Sequence, residues 1–162
     1  MNGLALYAGT FDPITLGHID IIERASKLFE QVVVAVALNT AKKTLFSLEE
    51  RVKLTKDALS HLPNVNVQGF DTLTLAFAEE MGANVLIRGI RAVADFDYEF
   101  QLANMNRTLS PHIETVFLMP AEKYMFISSS LIREIALLGG DIKPFVPSSV
   151  VMATMHKVKQ VK

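Results

Sequence analysis

The chain has 162 residues, 50% apolar and 20% charged, with 16 Lys and Arg against 17 Asp and Glu for a formal charge of −1. That length fits one domain, and the balanced charge excludes a global basic footprint for nucleic acid or an anionic membrane. With no cysteine in the chain, disulfide scaffolds, thiolate metal sites, thiol nucleophiles and redox switching drop out together.

Short apolar runs alternate with longer segments of helical period, the pattern of βαβ units around a parallel sheet covered on both faces. The expected strands are Leu4–Tyr7, Val32–Leu38, Val65–Gln68, Val85–Arg88 and Thr115–Met119. The expected helices are Asp20–Phe29, Leu48–Leu62, Leu73–Met81, Asp95–Leu109, Ser130–Leu138 and Ser148–Lys159. Several have identifiable ends. Ser47 and Glu50 stand in the S-x-x-E relation of a capping box, Gly82 and Gly139-Gly140 read as helix stops, and Pro111 closes the fourth helix. The longest uninterrupted apolar run, Val32 to Leu38, has seven residues, whereas a membrane span needs about 20. The first residues lack a basic leader, so a cytoplasmic protein is expected. A composition this apolar in a short chain points to surface covered by other subunits. With no internal repeat or dividing linker, a single domain over residues 1–162 is expected.

Five parallel strands with short connections make a doubly wound α/β sheet of Rossmann-like type, expected order 3-2-1-4-5. Such a sheet binds ligands outside the carboxyl ends of its strands, where the strand order reverses between the first and fourth. The segments that follow those two strands, Gly9 to His18 and Arg88-Gly89-Ile90-Arg91, are the least packing-like in the chain. Gly9 suits a close backbone approach, Asp12-Pro13 a turn, and Gly17-His18 falls at a helix head, where unpaired N–H groups favour an anion. His18 reads either as a structural histidine or as a phosphate contact. Arg88 and Arg91 suit phosphate oxygens; the alternative is a surface pair bridged to Asp95, Asp97 or Glu99. Lys42-Lys43 leaves a central strand in a loop, and Ser128-Ser129-Ser130 reads equally as an N-cap or as phosphate-binding hydroxyls. No P-loop and no G-x-G-x-x-G follows any strand, and the four histidines have no metal-ligand spacing. A dedicated metal site is therefore not expected.

Thr15-Leu16-Gly17-His18 resembles the T/H-x-G-H motif of the nucleotidyltransferase superfamily, and Ile127-Ser128-Ser129-Ser130-Leu131-Ile132-Arg133 its second, serine-rich motif. The segments Tyr7 to Thr15, Lys42-Lys43, Leu48-Glu49-Glu50-Arg51, Leu86 to Ala92, Asp95-Phe96-Asp97-Tyr98-Glu99 and Phe117 to Pro120 resemble, in order, the bacterial phosphopantetheine adenylyltransferases. The R-G-I-R-A block with D-F-D-Y-E is the specific part, and the similarity spans nearly the whole chain. Ala8, Asn39-Thr40 and Thr74 depart from the usual pattern.

The resemblance implies reversible, Mg²⁺-dependent transfer of AMP from ATP to 4′-phosphopantetheine, giving dephospho-coenzyme A and pyrophosphate, by a homohexamer. It implies that Thr10, His18, Lys42 and Arg91 are catalytic. ATP would meet Thr10, Phe11, His18, Gly89, Ile90, Arg91, Glu99, Tyr124, Met125, Phe126, Ile127, Ser128, Ser129 and Ser130. The acceptor would meet Thr10, Lys42, Leu73, Thr74, Arg88, Leu102 and Asn106. The alternatives are a sister enzyme using CTP or another phosphorylated acceptor, such as nicotinate mononucleotide or glycerol phosphate, and a nucleotide-sensing module without turnover.

Overall fold

A computed structural model describes residues 3–38 and 43–161, with the side chain of Val161 excepted. Five strands, β1 (Leu4–Gly9), β2 (Gln31–Ala37), β3 (Val65–Phe70), β4 (Val85–Gly89) and β5 (Glu114–Leu118), form one sheet. The order is β3-β2-β1-β4-β5 and every pairing is parallel. The helices are α1 (Leu16–Leu28), α2 (Leu48–Ala58), α3 (Thr74–Glu80), α4 (Val93–Leu109), α5 (Ser129–Leu137) and α6 (Ser148–Val161), with a short 3-10 turn at Glu122–Tyr124. The expected α/β architecture is the observed one.

Alternation along the strands divides the core. Ala5, Tyr7, Val32, Val34, Val36, Val67 and Ile87 face one way and pack on Ile21, Ile22 and Ala25 of α1, Leu54 of α2, Ile132 of α5 and Val150 of α6. Leu6, Ala8, Val33, Ala35 and Leu86 face the other way and meet Leu75, Phe77 and Ala78 of α3. Helix α4 contributes only Glu99 to the buried set.

Where boundaries differ from expectation, local chemistry explains the shift. Helix α1 starts at Leu16 rather than Asp20 because Thr15 and His18 cap each other. Helix α2 has the expected Ser47–Glu50 box but ends at Ala58, short of Leu62; it closes at Leu59, whose backbone leaves the helical region while its N–H is shared between the carbonyls of Thr55 and Lys56. Gly82 and Gly139, both expected helix stops, take the left-handed conformation, with φ of 70° and 84°.

Candidate functional site

The carboxyl end of β1 leads into a tightly held loop. Phe11 sits at φ 47°, a left-handed backbone that a bulky residue adopts only when its surroundings impose it. Its ring is buried edge-on between Tyr7 and His18, at centroid distances of 5.5 and 5.0 Å. Thr15 then caps α1. The His18 N–H donates to Thr15 Oγ1 at 3.3 Å, and the Thr15 N–H donates to His18 Nδ1 at 3.1 Å. An Nδ1 that accepts a backbone N–H has no proton of its own, so the neutral ring carries its proton on Nε2. Burial and the Arg91 charge hold the imidazole neutral, pushing its pKa down to about 4. His18 is therefore both a cap, the structural reading, and a neutral N–H donor.

Two arginines follow β4. Arg88 grips Glu99 in a fork, Nε to Oε2 at 2.6 Å and Nη2 to Oε1 at 2.7 Å, while Nη1 donates to the Ala8 carbonyl at 3.3 Å. Burial alone would lower its pKa, but the paired carboxylate outweighs this and raises it. Arg91 lies 3.4 Å from Asp95 and donates from Nη1 to the Ile127 carbonyl at 3.0 Å. The carboxylate-bridged alternative thus describes both side chains, yet both also line the cavity below. Tyr7, under this pair, is buried, which pushes its phenol up to about 12 against the lowering effect of Arg88 and Arg91.

The serine run divides its work. Ser128 caps α5 by accepting from the Leu131 N–H at 3.2 Å, Ser129 donates to the Pro13 carbonyl at 2.8 Å, and Ser130 accepts from Arg133 at 3.3 Å. Arg133 also donates to the Asp12 carbonyl at 2.6 Å, so α5 is bolted to the β1–α1 loop. The buried Asp12 carboxylate accepts the N–H groups of Leu45 and Phe46 at 2.8 and 3.0 Å.

These elements surround a cavity of about 600 Å³ at the switch point between β1 and β4. It brings together Thr10, Phe11, Thr74, His18, Arg88, Gly89, Arg91, Leu102, Ile127, Ser128, Ser129 and Ser130 of the expected residues. Ile90, Glu99, Tyr124, Met125, Phe126, Leu73 and Asn106 do not line it; Glu99 is spent on Arg88, and Phe126 and Leu73 are exposed. Lys42 lies outside the described residues. A second depression of about 320 Å³ shares Thr10, Ser129 and Ser130 and adds the cations Lys43 and Arg133. Sequence reasoning missed Tyr7, Ala37, Phe70, Tyr98 and Pro120 of the larger cavity. Tyr7, Tyr98 and Pro120 lay within segments matched to the family, Ala37 carries no signal beyond strand membership, and Phe70 fell past the end of the expected strand Val65–Gln68.

The cavity suits polyanions. The first turns of α1 and α5 both open on it. The N–H groups of Leu16, His18 and Leu131 are taken by Phe145 O, Thr15 Oγ1 and Ser128 Oγ, which leaves those of Gly17, Ser129 and Ser130 for an anion, and two guanidiniums stand beside them. Among the described residues no cluster of three or more His, Asp or Glu side chains is arranged to hold a metal ion. No helix among them is long and apolar enough to cross a membrane.

Known proteins share this fold. A crystal structure of a Vibrio parahaemolyticus protein, described as a nicotinate-nucleotide adenylyltransferase, superposes with a TM-score of 0.72 at 21% identity, covering 96% of this chain and 99% of that one. At that identity the likeness speaks for the fold. The cytidylyltransferase-like family model matches residues 6–135, from β1 through the serine run into α5. The match spans both motifs at the cavity, and the chain belongs to this cytidylyltransferase-like family of nucleotidyltransferases.

Proposed function

We propose that the protein is an adenylyltransferase that joins ATP to 4′-phosphopantetheine, releasing pyrophosphate and forming dephospho-coenzyme A. The observation that carries this reading is the composition of one cavity. Two helix heads, the neutral His18 donor, Arg91 and Arg88 share it with Ala37, Phe70, Thr74 and Leu102. That set suits two polyanionic groups and a less polar arm. The choice of acceptor rests on the R-G-I-R-A and D-F-D-Y-E blocks, and Lys42 is assigned to the acceptor phosphate from sequence alone.

In this reaction an oxygen of the acceptor phosphate attacks the α-phosphorus of ATP in line. One P–O bond forms, the bond to the β-phosphate oxygen breaks, and pyrophosphate leaves with the electron pair. A phosphate monoester has its second pKa near 6, so at neutral pH the nucleophile is largely ionised and no general base is needed. The site supplies alignment and charge stabilisation. In this reading Arg88 holds the acceptor phosphate, Arg91 and the helix heads hold the triphosphate, and His18 Nε2–H donates to the α-phosphate oxygen where charge gathers. Mg²⁺ enters as MgATP, carried on the triphosphate oxygens.

The protein also assembles with copies of itself in this reading. Helix α4 exposes Val93, Phe96 and Phe100 on one side and Tyr98, Met105 and Leu109 on the other, more exposed apolar side chain than one helix usually leaves in water. Gel filtration at the mass of a single 18 kDa chain would remove the hexamer from the proposal.

Pyrophosphate release tests the chemistry, with ATP or CTP offered in turn alongside 4′-phosphopantetheine, nicotinate mononucleotide or glycerol phosphate. Release is expected only from ATP with phosphopantetheine. Release with another pair reassigns the substrate, and nucleotide binding without release makes the protein a sensor.

A further inference from the structure

Arg51 is the largest fully buried side chain in the described structure, 1% exposed on the first turns of α2. A buried cation is costly unless paired or fully hydrogen-bonded. No carboxylate lies within ion-pair distance of this guanidinium among the described residues; backbone carbonyls solvate it instead. Nη1 donates to the carbonyls of Thr10 and Ala37, both at 2.7 Å, Nη2 to Leu38 at 3.4 Å and Nε to Phe46 at 3.2 Å. One side chain thereby ties the carboxyl end of β1 to that of β2 and to the start of α2. A hydrophobic residue would join these elements without burying charge, so packing alone does not explain an arginine here.

Arg51 does not itself line the cavity, but Thr10 and Ala37, whose carbonyls it holds, do. The Thr10–Phe11 peptide is trans, so holding its carbonyl toward Arg51 turns the Phe11 N–H to the opposite side. That peptide leads into the left-handed Phe11, a conformation that the surroundings must enforce. We propose that Arg51 is a positioning residue for phosphate transfer: its buried guanidinium fixes the Thr10–Phe11 peptide so that the Phe11 N–H and the Thr10 side chain are set for an incoming phosphate.

This inference rests on the nucleotidyltransferase reading, and the experiment separates the two. Wild-type pyrophosphate release decides the functional reading. Arg51→Lys, which keeps the charge but not the fork of donors, is expected to lower kcat about a hundredfold, the usual effect of misplacing a reacting group by about 1 Å, with KM for ATP within a few-fold of wild type. Leu54→Val, buried on the same helix but making none of the four hydrogen bonds, supplies matched destabilisation and is expected to keep its kcat. Turnover of Arg51→Lys within threefold of wild type, or an equal loss in Leu54→Val at the same fall in Tm, would overturn the proposal. Should Arg51→Lys fail to fold, the wild type still decides. Titration with magnesium pyrophosphate should shift the Phe11 amide resonance and slow its hydrogen exchange, and an amide that stays unmoved refutes the assignment.

Discussion

Replacing His18 by alanine separates its two jobs. The ring accepts one backbone N–H at the α1 cap, so the variant loses about 0.5–1.5 kcal/mol of stability, and Tm falls by a few degrees at about 2–4 °C per kcal/mol in a domain of this size. The catalytic loss should be far larger. A pKa pushed down to about 4 leaves the ring neutral at pH 7 in the free protein, so in the proposed reaction His18 would serve as a neutral Nε2–H donor rather than a cation. Removing one preorganised donor from a developing oxyanion costs on the order of 10²–10³ in kcat, about 2.7–4 kcal/mol. ATP binding, spread over Arg91 and two helix heads, should change little. Steady-state pyrophosphate release against ATP and against acceptor measures both. The pH profile adds a sharper check. The acid limb of kcat/KM for the acceptor should fall near pH 6, set by its phosphate monoester, and should persist in His18→Ala. A variant that loses less than threefold in kcat, or whose acid limb disappears, would refute this account of the ring.

The depressed His18 pKa also makes stability pH-dependent. The unfolded ring binds a proton near pH 6.5 and the folded one only near 4, so stability is intact above 6.5 and falls as pH drops between those values, by at most about 3 kcal/mol and less for a partly exposed ring. Urea unfolding across that window should show a shallower decline in His18→Ala; equal slopes would contradict the shift. Arg88→Met strands the buried Glu99 carboxylate and should lower stability by about 3–5 kcal/mol. Adding Glu99→Gln should restore most of the Tm while leaving the acceptor KM high; recovery of both would show that Arg88 serves only the pair. Gly82→Ala places a side chain at φ 70° with nothing within 4 Å of the new methyl, so it should cost about 1 kcal/mol through the backbone and leave turnover unchanged. A stabilised variant would refute that reasoning.

The strands were legible because a parallel sheet buried on both faces writes itself as continuous apolar runs such as Val32–Leu38, and strand order then located the cavity before any side chain was placed. Helix α4 was legible only as a helix. Its apolar residues are spread around the axis, so the pattern does not say that the helix buries little besides Glu99. At the site, polar side chains that line the cavity announce themselves by type, as His18, Arg91 and the serine run do. Side chains that act on the backbone do not. Glu50 and Arg51 are neighbours in one acidic and basic helix turn; one makes a capping bond at the surface and the other spans four carbonyls in the interior. The difference arises from where β1 and β2 end, which is a property of two distant segments and not of the helix that carries the arginine. The same holds for Glu99, whose carboxylate is indistinguishable in sequence from those of Asp95 and Asp97 until β4 sets Arg88 against it. Preorganisation in this protein is carried largely by carbonyls and amides held in place from behind, and residue type records those contacts only indirectly.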